Sequence, residues 1–266
     1  MKKKFVTLCV LAGAALSFVA QAQTNMSETQ QRINAAVMAV YNEELARNPY
    51  DYALLYSRAN QYFLNGEYLK SLEDINNALT YIPKSDESTL FESYVLRAKI
   101  YIIRNEQEKA ITDLKMANTI KPVDQHTVLL LGDMCFESGD YETAKSSYTT
   151  LLRRNSLDFH AMAGLAKVAV MQKDYDEAAR YANRAVDLYP AEPRVYLNRS
   201  DVLVLMNDYK GAAQDVISAI SVSNDMSGAL QRLVDMSHTN YADVIGALSN
   251  SIDKAPDVGM FYYIRA

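Results

Sequence analysis

Cysteine, histidine and basic runs are all scarce in this chain, and each scarcity excludes something. Of the two cysteines, Cys9 sits inside the apolar run that opens the chain and only Cys135 lies beyond it. Once that opening segment is removed no intrachain disulfide can form, so packing alone must supply stability. Cys9 also falls early within the run and not after it, which argues against a lipid-accepting cysteine. The longest basic run is Lys2-Lys3-Lys4 at the N-terminus, and the net charge of −5 becomes −8 when those lysines go. A surface of that sign has no basic face to neutralise phosphates, so nucleic acid is not expected as a partner.

Chemistry is equally thin. The three histidines, His126, His160 and His238, have no metal-ligand spacing, and neither a glycine-rich phosphate loop nor a nucleophile motif is present. No catalytic residue, metal ligand or cofactor site is read, and the chain is not expected to be an enzyme. His126 and His160 do recur at one position of adjacent repeats. Packed helices stand about 8–10 Å apart, however, which is long for a shared metal.

Residues 1–22 have the form of a secretory signal: the three lysines, an apolar run from Phe5 to Ala20, and Ala20-Gln21-Ala22 as a small-residue cleavage site. The run is short of the ~20 residues a spanning helix needs, and polar sequence from Gln21 to Gln31 follows at once. Cleavage after Ala22 is expected, with export to a bacterial periplasm or cell envelope and no stable membrane span in what remains.

What the chain does have is self-similarity. KDYDEAARYANRAVDLYP, from Lys173 to Pro190, is an amphipathic helix that ends in proline, and much of it returns at Glu67, Asp140 and Asp208. A period of 32–39 residues marks a repeat architecture, in which each unit buries its apolar face on its neighbours. Glycine at the first helix–helix turn and proline at the end of units frame copies at 52–85, 91–124, 125–158, 159–192 and 193–224, each with two helices. In the first copy Leu55, Ala59 and Tyr62 share one face of helix A, and Ile75 and Ala78 line helix B. Residues 23–51 form a linker and a capping helix, with Ile33, Val37, Tyr41 and Leu45 on one face. A five-residue insertion, Asp86 to Leu90, reads as a longer surface loop. A degenerate sixth copy spans 225–258, with Gly228, Arg232 and Ser251 out of pattern, and GMFYYIRA at 259–266 matches the start of a seventh helix A.

Small residues recur at fixed places: Ala59, Ala98, Gly132, Ala166 and Ser200 on helix A, and Ser71, Ala110, Ala144, Ala178 and Ala212 on helix B. A tyrosine opens helix B at Tyr68, Tyr141, Tyr175 and Tyr209, each after an acidic residue suited to an N-cap, and Asp174 with Glu177 reads as a capping box. This pattern resembles the tetratricopeptide repeat over residues 50–224. The resemblance implies an all-α, right-handed superhelical solenoid of helix-turn-helix repeats: five clear copies, a degenerate sixth and a partial seventh.

Two positions vary together. Arg58, Arg97 and Arg199 each have an aspartate sixteen residues on, at Asp74, Asp113 and Asp215, whereas copies three and four have Leu131 with Ser147 and Leu165 with Tyr181. The pairs are predicted to touch between helices A and B of one repeat.

The resemblance also implies a partner-binding concave surface lined by helix A. By position its candidate residues are Tyr56, Asn60, Glu92, Lys99, His126, Asp133, His160, Lys167, Arg194 and Asp201. Apolar rows flank them, Tyr56, Val95, Leu129, Ala163 and Leu197 in one and Phe63, Ile102, Phe136, Val170 and Val204 in the other. An apolar floor with charges of both signs suits an extended peptide or a helix, although the same rows would serve as inter-repeat core. The family's clamp for carboxylate tails, built from lysine, asparagine and arginine at set helix A positions, is not matched: Asn60 agrees with one, but Tyr56, Leu96, His126 and Leu130 stand where the others would be. The expected function is a non-catalytic scaffold or adaptor for a protein or peptide. The alternatives are a solute-binding component of an envelope transporter, the sensing segment of a longer receptor, and self-association through the C-terminal end.

Overall fold

The computed structural model describes residues 28–223, 227–255 and 258–265. The signal expected at residues 1–22, its cleavage site, Pro256 and Ala266 lie outside the described residues. Among the described residues there are thirteen helices and no strand. They divide into two compact units, one ending at Met134 and the other beginning at Cys135.

The first unit holds α1 (Glu28–Arg47), the pair α2 (Tyr52–Leu64) and α3 (Tyr68–Tyr81), the pair α4 (Glu87–Ile103) and α5 (Gln107–Ile120), and most of α6 (Gln125–Ser138). Leu45 of α1 joins Leu55, Ala59, Ile75, Ala78 and Ile100 in one buried cluster, so the N-terminal helix closes the first repeat as its pattern predicts. The stripe is buried only at one end, since Ile33 remains 50% exposed. The expected loop at Asp86 to Leu90 is instead the first turn of α4. Asp86 accepts the Thr89 N–H at 3.1 Å and caps a 17-residue helix A, so the insertion lengthens the helix and not the connection.

The second unit holds α7 (Tyr141–Arg154), the pair α8 (Phe159–Met171) and α9 (Tyr175–Leu188), the pair α10 (Pro193–Leu205) and α11 (Tyr209–Val222), then α12 (Ser227–Lys254) and α13 (Gly259–Arg265). The sixth copy does pack. Val216, Ile217 and Ile220 of α11 bury against Leu233, Val244 and Leu248 of α12 and Phe261 of α13. Its two helices run together as α12 because its helix B tyrosine, Tyr241, comes 32 residues after Tyr209 where 34 separates Tyr175 from Tyr209. With two residues fewer, one kinked residue, Asn240 (φ −136°, ψ 46°), replaces the turn.

The repeating turn has one fixed requirement. Gly66, Asn105, Gly139, Lys173 and Asn207 occupy the same place between helices A and B, all with φ between 59° and 86°. That left-handed region favours glycine, so three of the five turns hold a side chain in it. The small residues meet where helices approach: Ala59, Ala98, Ala110, Ala144, Ala166, Ala178 and Ala212 have no exposed surface. Ser71 does the same work with a hydroxyl that donates to the Ala59 carbonyl at 2.7 Å.

The capping reading needs correction in part. Asp140, Asp174 and Asp208 accept the backbone N–H three residues on, but Glu67 and Glu106 do not cap. With one more methylene, each glutamate reaches a lysine three residues on instead, Lys70 or Lys109. The capping box is half formed as well, because the Asp174 N–H donates to the Ala169 carbonyl and Glu177 pairs with Arg180.

Candidate functional site

The co-varying pairs touch. Arg58 donates Nε and Nη2 to the two carboxylate oxygens of Asp74, both at 2.7 Å; Arg97 grips Asp113 and Arg199 grips Asp215 in the same fork. The aspartates are almost fully buried, whereas the arginines keep an edge in solvent. Hydrogen bonding to the carboxylate raises the pKa of Arg58 and Arg199; at Arg97 burial is the largest single effect and lowers it, but the hydrogen bond and the charge of Asp113, with Tyr101 and Tyr94, together raise it. A third member was not foreseen. The remaining Nη1 donates to an asparagine of the preceding helix: Asn42 for Arg58, Asn76 for Arg97, Asn183 for Arg199, at 2.8–2.9 Å. The signal was present, because the same place holds Lys115 and Thr149 ahead of the two copies that have leucine for arginine. These triads tie helix A to helix B and each such repeat to the one before it. They are fold chemistry.

The candidate binding residues fall on helix A segments and are described by unit. In the first unit the Tyr56 hydroxyl hydrogen-bonds Glu92 of the next helix A, and burial followed by that carboxylate pushes the phenol up to about 12. Asn60 and Lys99 are half-buried, Glu92 and His126 exposed, Asp133 half-buried. In the second unit the polar row is an ion-pair ladder. Lys167 Nζ stands 3.5 Å from one oxygen of Asp201, and Arg232 Nη1 donates to the other at 2.6 Å. Three successive helix A segments, α8, α10 and α12, are thereby joined through one carboxylate. Arg232, which departs from the packing pattern, stands 31 residues after Asp201, one helical turn before the position a full repeat on, and so shares the face that meets this carboxylate.

His160 and Arg194 belong to a second group. The His160 ring lies 4.2 Å from that of Phe159, Phe159 meets Tyr189 edge-on at 5.4 Å, and the Arg194 guanidinium sits 5.1 Å from the Phe159 centroid. Arg194 is also held by Glu192, whose carboxyl it keeps below the usual range by hydrogen bonding. Charge and aromatic surface thus coincide, an arrangement worth about 0.5–1 kcal/mol when exposed. His126 and His160 lie in different units, and among the described residues no three histidine, cysteine, aspartate or glutamate side chains gather as a metal site.

The apolar rows divide between the two roles considered for them. Ala163 and Val170 are buried and belong to the core, while Tyr56, Val95, Leu129, Leu197, Phe63, Ile102, Phe136 and Val204 are half-buried. Phe63 and Phe136 lean on the tyrosines that open their helices B, Tyr68 and Tyr141, at 5.7 and 5.6 Å.

Residues 129–193 and 166–220 match the tetratricopeptide repeat family model. Over residues 129–220 the chain is thus similar to the tetratricopeptide repeat. A tetratricopeptide repeat protein of Parabacteroides merdae has a similar fold, with TM-score 0.68, 18% identity and 97% of each chain covered. YrrB, described as a tetratricopeptide repeat protein with an unusual peptide-binding site, matches at TM-score 0.53 and 16% identity over 72% of this chain and 96% of its own. At these identities the likeness concerns the fold, an α-solenoid of helix-turn-helix repeats. In sequence the chain is 21% identical to BBSome complex member BBS4 of Bos taurus over 87% of its length, and 25% identical to cellulose synthase operon protein C of Pseudomonas fluorescens (strain SBW25) over 68%. It spans 44% of the first relative and 14% of the second. The helix-turn-helix fold accounts for the alanine contacts and the left-handed turn residues, and it leaves helix A to carry what distinguishes this chain.

Proposed function

We propose that this chain is a non-catalytic interaction scaffold of a bacterial periplasm or cell envelope, and that it binds an extended peptide or a helix along its helix A segments. The observation that carries the reading is the composition of that face within each unit: half-buried apolar side chains beside charges of both signs, Lys99 and Glu92 in one unit, Lys167, Asp201 and Arg194 in the other. Apolar burial supplies affinity there, and the charges set register. The tetratricopeptide repeat is an interaction fold, and the peptide site described for YrrB supports a peptide as the ligand class. Export rests on the signal-like residues 1–22.

Photo-crosslinking tests the surface. A crosslinking residue placed at Leu129 or Leu197 on helix A should yield partner adducts in envelope extracts. The same residue at Lys173 or Arg180, on the turn and helix B, should not. Lys99→Glu with Lys167→Glu should weaken the adducts. Adducts confined to the helix B positions, or unchanged by the charge reversals, would refute the helix A surface. Fractionation of cells expressing the chain tests its location, and retention of residues 1–22 on a cytoplasmic product would refute export.

A further inference from the structure

Along helix A one row reads Glu92, His126, His160 and Arg194, and 34 residues further on it reads Gly228. A side chain there would have room, since a Cβ built on Gly228 meets nothing within 4 Å. Gly228 borders a cavity of about 360 Å³ in the second unit, lined also by Pro193, Leu197, Ala219, Ser223 and Ala229 and by Arg194 and Arg232. Its size falls at the lower end of small-molecule sites, about 300–1,000 Å³.

Both guanidiniums keep donors in reserve. Arg194 gives Nε and Nη2 to Glu192 at 2.7 and 3.2 Å, and Arg232 gives Nη1 to Asp201 at 2.6 Å. Among the bonds of the described residues, Nη1 of Arg194 and Nε and Nη2 of Arg232 remain. Each guanidinium at the cavity is already paired with one carboxylate, Arg194 with Glu192 and Arg232 with Asp201, which Lys167 also approaches. A dianion such as phosphate would leave the proline, leucine and alanine walls unused. A carboxylate suits the planar guanidinium fork, and an apolar tail suits the walls.

We propose that this cavity binds a small monocarboxylate with a compact apolar tail, the carboxylate on Arg194 and Arg232 and the tail against Leu197, Ala219 and Ala229. The site goes beyond the scaffold reading and does not rest on it, because no protein partner takes part in binding.

Titration of the isotope-labelled chain with isocaproate, followed by backbone amide shifts, tests the proposal. Saturable shifts should centre on Leu197, Gly228 and Ala229. Acetate, which lacks the tail, isocaproamide, which lacks the charge, and inorganic phosphate should each bind at least tenfold more weakly. Arg232→Gln should weaken isocaproate tenfold or more. Gly228→Leu, which fills the space from an exposed position, should abolish binding with helical content unchanged. Absence of saturable shifts, equal binding of the amide, acetate or phosphate, or unimpaired binding by Gly228→Leu would each overturn the proposal.

Discussion

Removal of Arg58 should destabilise the first unit more than removal of Arg58 and Asp74 together. The Asp74 side chain is 6% exposed and that of Arg58 is 20% exposed, so the two partners are not equally stranded when the other is lost. Without Arg58 the carboxylate stays buried with neither of its two 2.7 Å bonds, and Asn42 loses its donor too. Breaking a buried pair from one side costs about 3–5 kcal/mol, and the solvent edge of this one favours the low end, about 3 kcal/mol for Arg58→Ala. Asp74→Ala should cost less, about 2 kcal/mol, because a freed guanidinium can turn toward water. The double variant should lose only about 2 kcal/mol, giving a coupling of about 3 kcal/mol, at the top of the range for directly bonded residues. Arg58→Lys is an informative control: it keeps the charge but not the fork, and should fall between wild type and Arg58→Ala. Urea unfolding followed by circular dichroism measures all four, with the denaturant slope checked for constancy because repeat arrays can lose two-state behaviour. Losses that simply add would refute the contact energetics, whatever the distances.

Three further outcomes follow from the same geometry. Lys173 is exposed and held at φ 63°, so Lys173→Gly should raise stability by about 0.5–1 kcal/mol in thermal or urea unfolding, the relief of left-handed strain exceeding the added chain entropy. Gly164→Ala should lower it by about 1–3 kcal/mol, since the new Cβ would stand 2.4 Å from ring carbons of the fully buried Tyr148, which has no room to retreat. Tyr56 should ionise near pH 12, and Tyr56→Phe should remove that step from the phenolate absorbance titration. Its phenol pKa is raised on folding, so its contribution to stability is complete below pH 10 and is lost as pH rises toward 12; wild type should therefore lose stability relative to Tyr56→Phe across that interval.

The two-helix unit, its small-residue contacts and the pairing of Arg58, Arg97 and Arg199 with their aspartates were all legible in the sequence. The reason is that every copy solves one packing problem, so the spacing of Ala59 or Ala178 and the joint loss of arginine and aspartate report a local contact directly. The rest depended on how copies meet. Asn42, Asn76 and Asn183 reach the arginine of the following repeat, and the five residues before Phe91 extend a helix because Asp86 finds a backbone N–H to cap. The Lys167, Asp201 and Arg232 ladder exists because Arg232, one helical turn before the position 34 residues after Asp201, reaches back to that carboxylate across the two helices. Within a repeat the short-range spacing is fixed by helix geometry, and the sequence alone determined it. Between repeats the meeting of side chains depends on register and on which surface stays open, and only the tertiary structure decided that.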